Sequence, residues 1–261
     1  MDRRQFLAAS LATSAAALPA AAQSQDRQRE HYLLRQYALR SGAQLKVTEH
    51  YFSAALIPAL QRLGLGPAGA FRLDIGPDTP SYYLLVPGSD LALLAGLDLR
   101  LAHDAEFMAA ADPFWNATST APAFERIEIS LLAAFEGWPR ITPPPSSAAK
   151  SKRIFQLRTY ESPSSGDHVR KVEMFHSGEF DYFKAAGISQ VFFGDTLVGS
   201  HMPNLTYMLS FTDTAELDAK WDAFRNNPDW KKLSASPRFA LDAIVTNISN
   251  LILSPLDCSQ I

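Results

Sequence analysis

Apolar and polar positions alternate through residues 154–161, with Phe155, Leu157 and Thr159 on one face and Gln156, Arg158 and Tyr160 on the other. A period of two among strand-forming residues predicts a β-strand. After a Pro-Ser-Ser-Gly turn the period changes. Val172, Phe175 and Phe183 recur at helical spacing over residues 167–186, and Gly187 stands where a helix C-cap is expected. Residues 190–198 and 205–211 return to strand character around the turn His201-Met202-Pro203-Asn204. Residues 215–224 predict a helix ending near Asn226-Asn227-Pro228, and residues 244–253 a last strand. The order is β-α-β-β-α-β, a ferredoxin-like split unit.

The stretch RITPPPSSAAKSK, residues 140–152, has the Pro, Ser and Lys content of a linker. It separates two segments of similar length, and they resemble each other. Leu34-Arg35-Gln36-Tyr37 matches Leu157-Arg158-Thr159-Tyr160 at an offset of 123. At the same offset Phe52 meets Phe175, Leu60 meets Phe183 and Gly64 meets Gly187. Tyr83 meets Tyr207 at 124, and Asp112-Pro113-Phe114-Trp115 meets Asn227-Pro228-Asp229-Trp230 at 115. Few identities in constant order indicate a diverged internal repeat. A sheet of this kind has helices on one face and leaves the other apolar and open. Two such sheets in one chain can cover each other and close into a barrel of about eight strands, which can hold one small ligand. The fold class expected is therefore α+β, with two ferredoxin-like units forming an α-β barrel within the chain.

The chain begins Met1-Asp2-Arg3-Arg4-Gln5-Phe6-Leu7, followed by an Ala-rich apolar run and Ala20-Ala21-Ala22. This layout predicts a twin-arginine signal over residues 1–22, with the translocase as a partner during export and the periplasm as destination. The apolar run is too short for a membrane span of about 20 residues, and no second one follows, so no membrane association is expected after cleavage. Residues 28–139 and 153–259 then form the two repeats. Cys258 is the single cysteine, so no internal disulfide can form. With 47% hydrophobic residues the fold must hold through its core. A formal net charge of -3 argues against nucleic acid as a partner.

The second repeat resembles the NIPSNAP family. FQLRTY (Phe155 to Tyr160), VEMFHSGEF (Val172 to Phe180), FFGDTLVG (Phe192 to Gly199), NLTYMLSF (Asn204 to Phe211) and WDAFRNNPDWKK (Trp221 to Lys232) occur in order over residues 152–259. The first half is similar to a diverged copy, through LRQY and DPFW. The resemblance implies the dimeric α-β barrel fold. It implies no reaction. Small oxygenases and haem-handling enzymes share the fold, but fold analogy is a weak warrant for activity.

The candidate chemistry is sparse. If Phe155 and Leu157 face the helices, Arg158 and Tyr160 face the barrel interior, where guanidinium and phenol can bind a carboxylate or an enolate. Tyr207 joins them as a ligand-binding candidate, and Arg35 and Tyr37 repeat the pair. A structural role for the pair, with Arg bonding a neighbouring carboxylate, explains its recurrence equally well. Glu173, His176 and Glu179 recur at intervals of three along a helix and so share a face. Two carboxylates and an imidazole on one face suit a metal site or an acid-base pair; His176 and Glu179 are taken as the candidate acid-base pair, absent from the first repeat, where Ser53 and Leu56 align. An ordinary solvated helix face is the competing reading. His201 in its turn reads as incidental, and His31, His50, His103 and His168 have the same status. Trp115 and Trp230 fit as packing anchors. There is no GxGxxG, GxSxG or HExxH motif, so nucleotide and common hydrolase chemistry is disfavoured, no metal site is expected and no cofactor can be named.

Three functions fit. The first is binding of a small apolar or aromatic molecule in the barrel. The second is an oxygenase- or isomerase-type reaction in the second repeat. The third is a structural or partner-binding role with a filled barrel, for which a homo-oligomer is one form.

Overall fold

The computed structural model describes residues 29–40 and 42–261, so the signal expected at residues 1–22 lies outside the described residues. Eight antiparallel strands close a barrel in the order β1-β3-β2-β8-β5-β7-β6-β4. The first half supplies β1 (His31–Ala38), β2 (Gly69–Ile75), β3 (Ser81–Gly88) and β4 (Arg126–Ala134). The second supplies β5 (Ile154–Glu161), β6 (Ser189–Val198), β7 (Asn204–Phe211) and β8 (Asn247–Pro255). Two seams join the halves. On one, β2 pairs with β8, Leu73 opposite Leu253; on the other, β4 pairs with β6, Leu132 opposite Thr196.

The helices cover the outer faces. Over the first half lie α1 (Gly42–His50), a π-helical turn Tyr51–Leu56, α2 (Ile57–Arg62), α3 (Leu91–Ala95), α4 (Leu97–Leu101) and α5 (Ala105–Trp115). The short α6 (Pro145–Ala148) lies in the tether. Over the second half lie α7 (Ser165–Met174), a π-helical turn Phe175–Glu179, α8 (Phe180–Ala185), α9 (Thr214–Asn226), α10 (Pro228–Ser234) and α11 (Leu241–Ile244). Gly187, at φ +71°, ends α8, and Ile188 N–H returns to the Phe183 carbonyl at 3.0 Å. The last strand starts later than expected, because Ile244 ends α11 and packs with Met174 and Phe239.

The strand registers show which positions of the two halves correspond. Arg35 stands opposite Leu84 and Ile129, and Arg158 opposite Tyr207 and Asn250. The counterpart of Tyr207 is therefore Leu84, not Tyr83. A shift of one residue reverses the face of a strand. Tyr83 accordingly points into the barrel, while Tyr207 points into the helical layer. Asp112–Trp115 ends α5, whereas Asn227 caps α10, so these two motifs occupy different places. A match that sequence comparison missed is Asp78 with His201, again 123 apart, at φ 60° and 57° in the β2–β3 and β6–β7 turns.

The faces of β5 are the reverse of those expected. Phe155 and Leu157 lie in the barrel core with Tyr32, Phe71, Phe192 and Met208, while Tyr160 packs against the helices with Phe175 and Phe183. Alternation could not assign these faces, because both are buried and each carries aromatic residues. One end of the barrel is filled. Tyr32 meets Phe192 at 5.0 Å and Phe71 meets Phe155 at 4.9 Å, with Ile141 and Ile261 in the same core. The tether is fastened to that end: Thr142 N–H donates to the Val191 carbonyl at 2.8 Å, and Lys150 Nζ to the Ser259 carbonyl at 2.7 Å.

Candidate functional site

Two groups of polar residues stand out, one on each side of the sheet. The first lies between β5, β7 and the helices of the second half. Lys171 Nζ bonds Glu179 Oε2 at 2.7 Å, with side chains only 0% and 2% exposed. Lys171 also lies 4.2 Å from the Phe175 ring centroid and 5.1 Å from that of Tyr160. Tyr207 Oη donates to Tyr160 Oη at 3.0 Å. The Arg158 guanidinium lies 4.4 Å over Trp221, 5.3 Å from Tyr160 and 5.9 Å from Tyr207. Burial pushes the Glu179 carboxyl up, and Lys171 opposes that rise. Burial likewise pushes the Tyr207 phenol well up, against the pull of Arg158.

The π-helical turn makes this pair. It takes up one extra residue, so Lys171 and Glu179, eight apart, align as residues seven apart do on a regular helix. Gly178 permits the turn at φ +133°, and a Cβ there would come within 2.7 Å of Tyr182 Oη.

The same turn separates the residues that helical spacing grouped together. Glu179 points inward, whereas Glu173 binds Arg238 at 2.5 Å on the surface. His176 is exposed: its Nε2 accepts from Gly137 N–H at 3.0 Å and its Nδ1 bonds the Val172 carbonyl at 2.9 Å. His176 thus fastens the helix to the segment after β4 and does not meet Glu179. Arg158, Tyr160, Tyr207 and Glu179 do come together, on the helical side and not inside the barrel. Arg35 and Tyr37 form the first-half counterpart, where Arg35 Nη1 bonds Asp98 Oδ1 at 2.9 Å. Sequence reasoning missed Lys171 and Trp221; a signal for Lys171 exists only in spacing that allows for a π turn.

The second group lines a cup at the end of the barrel that is not filled. The cavity measures about 320 Å³. Leu34, Leu157 and Leu251 give it apolar surface, and Gln36, Tyr83, Ser130, Thr159, Thr206 and Ser249 line it with hydrogen-bonding groups. Asp78, Glu128 and Glu161 are the acidic lining residues, and none of the lining residues is Lys or Arg. Thr159 and Thr206 bond each other at 2.8 Å, and His201, at the rim, lies 3.9 Å from Glu161. Burial, with Asp78 and Glu128 nearby, pushes the Tyr83 phenol up, so it remains a neutral donor. Of the sequence candidates only His201 lies here.

Among the described residues no group of three or more His, Cys, Asp or Glu is disposed to hold a metal ion, and no helix is long and apolar enough to cross a membrane.

Residues 155–260 match the model of the NIPSNAP family. No curated protein matches the chain in sequence. Among solved structures, a candidate monooxygenase from Lactobacillus acidophilus is similar over 87% of this chain and 94% of its own, with a TM-score of 0.55 at 9% identity. Another from Fusobacterium nucleatum is similar over 88% and 93%, with a TM-score of 0.56 at 7% identity. A NIPSNAP-like domain protein from Burkholderia xenovorans covers 40% of this chain and 86% of its own, at 14% identity and a TM-score of 0.36. The two full-length likenesses show the dimeric α-β barrel fold.

Proposed function

We propose that the chain binds a small amphipathic molecule in the open cup of its barrel. The ligand has a compact aromatic or aliphatic body and a neutral or cationic hydrogen-bonding head. The observation that carries this reading is the cup itself, about 320 Å³, with leucines, hydroxyl groups and three carboxylates but no Lys or Arg on its wall. That volume is in the range of small-ligand sites, and the mixed lining suits an apolar body with a polar end. A carboxylate ligand would meet like charge. The apolar or aromatic ligand expected from sequence is thereby given a polar end. Likeness to candidate monooxygenases carries no reaction. The twin-arginine layout of residues 1–22 supports export, so the binder works in the periplasm, and the common offset of 123 supports the first half as a diverged NIPSNAP-like copy.

Titration calorimetry with benzylamine, benzyl alcohol and benzoate tests the reading. Benzylamine and benzyl alcohol bind in the cup. Thr206→Tyr, which gives β7 the side chain its counterpart Tyr83 gives β3, fills the cup and weakens both by about tenfold or more. Ser130→Leu, which copies its counterpart Leu251, does the same if Thr206→Tyr perturbs the fold. No binding of either probe, or binding indifferent to both variants, refutes the proposal.

A further inference from the structure

The two halves place the same arginine in different company. Arg35 has a carboxylate partner, Asp98 on α4, at 2.9 Å. Arg158, its counterpart 123 residues on, makes no ion pair with a carboxylate among the described residues: its Nε is buried without a hydrogen-bond partner, and its guanidinium lies 4.4 Å over Trp221 with the Tyr160 and Tyr207 phenols beside it. Glu179, the nearby acid, bonds Lys171 and reaches Arg158 only as a charge through space, with no ion pair between them. A guanidinium presents a planar fork that matches a carboxylate, and the first half shows such a carboxylate in place.

The surroundings of Arg158 supply the rest of a site. On β8 its register partner is Asn250, which shares the outer face of the sheet. Trp221 Nε1 donates to Gln156 Oε1 at 2.7 Å, so the amide nitrogen of Gln156 is turned toward Asn250 and donates to its Oδ1 at 2.8 Å. This relay uses the oxygen of Asn250 and leaves its NH₂ as a donor. Asn250 is exposed, and Ile248 and Ile252 beside it on the same face are only half-buried. The outer face of β8 thus presents an exposed amide between two half-buried apolar side chains, in register with Arg158.

We infer that Arg158 and Asn250 form a recognition site for a small organic carboxylate, at the edge of α9 on the outer face of β8. The carboxylate takes the place that Asp98 takes beside Arg35. Its apolar body lies along Ile248 and Ile252. Arg158, Ile248 and Ile252 are not among the residues that line the cup, whereas Asn250 also borders it, so the two sites meet only at Asn250.

Calorimetric titration of the whole chain with benzoate tests this. Wild type binds benzoate through the millimolar range. Arg158→Gln weakens it by about tenfold or more. Asn250→Asp keeps the acceptor for Gln156 but installs an internal carboxylate beside Arg158, so it abolishes benzoate binding while holding or raising Tm. Thr206→Tyr leaves benzoate binding unchanged, which separates this site from the cup. Absence of benzoate binding by wild type, or unchanged binding by Asn250→Asp, overturns the inference. Should Arg158→Gln fail to fold, Asn250→Asp alone decides.

Discussion

Replacing Lys171 with Met tests how far the helical layer of the second half is removed from water. The change keeps roughly the volume of the side chain but removes the positive charge facing Glu179, whose side chain is 2% exposed. Removing one partner of a buried ion pair costs about 3–5 kcal/mol, because a charge is left in a poorly solvated place. Proton uptake limits that cost. Burial already raises the Glu179 carboxyl above its ordinary 4.5 while Lys171 opposes the rise, so without Lys171 it climbs further. A carboxyl raised on folding holds its proton more tightly in the native state. Its contribution is complete below the unfolded value and lost as pH rises through the folded value. The deficit of Lys171→Met is therefore largest at alkaline pH and shrinks as pH falls toward about 5. Urea unfolding near pH 8 and near pH 5 measures it. The expected loss near pH 8 is about 3–5 kcal/mol, smaller near pH 5. The double variant Lys171→Met with Glu179→Gln recovers most of the loss, since no unpaired charge remains. A loss below about 1 kcal/mol near pH 8, or one that does not change with pH, refutes the description of this pair as desolvated.

Two further outcomes follow from the same half. Gly178→Ala forces a Cβ into the Tyr182 hydroxyl at a φ that side chains rarely adopt, so chemical denaturation should show a loss of about 1–3 kcal/mol or more. His176→Ala removes the acceptor for Gly137 N–H and should cost about 1 kcal/mol, with titrations of benzylamine and benzoate unchanged; loss of either binding would return His176 to a functional site.

Most of the fold was legible in the sequence because its signals are local. Alternation marked β5 to the residue, and Gly187 marked the end of α8. The offset of 123 led to the expectation of a closed barrel, and the eight strands do close one. The faces were not legible. A strand buried on both sides carries no hydropathy contrast, so Arg158 and Tyr160 were assigned to the wrong side. Nor was the π turn, which leaves no periodic trace of its own yet moves Glu179 away from His176 and toward Lys171. The cup was hidden for a third reason. Gln36, Tyr83, Glu128, Thr159, Thr206 and Ser249 come from six strands, and only barrel closure brings them to one rim.

The tether between β4 and β5 has a consequence beyond joining the halves. In a symmetric homodimer any change in one wall of the barrel is written twice, once in each copy. Here the corresponding positions are coded separately and differ: Tyr83 faces the cup where the other half has Thr206, and Glu128 where it has Ser249. Each wall can be altered singly, so the cup can become lopsided and suit a molecule whose two ends differ. The seams β2–β8 and β4–β6 also close within one molecule, at an effective concentration set by the tether and untouched by dilution. A chain that meets few copies of itself thus still has a complete barrel.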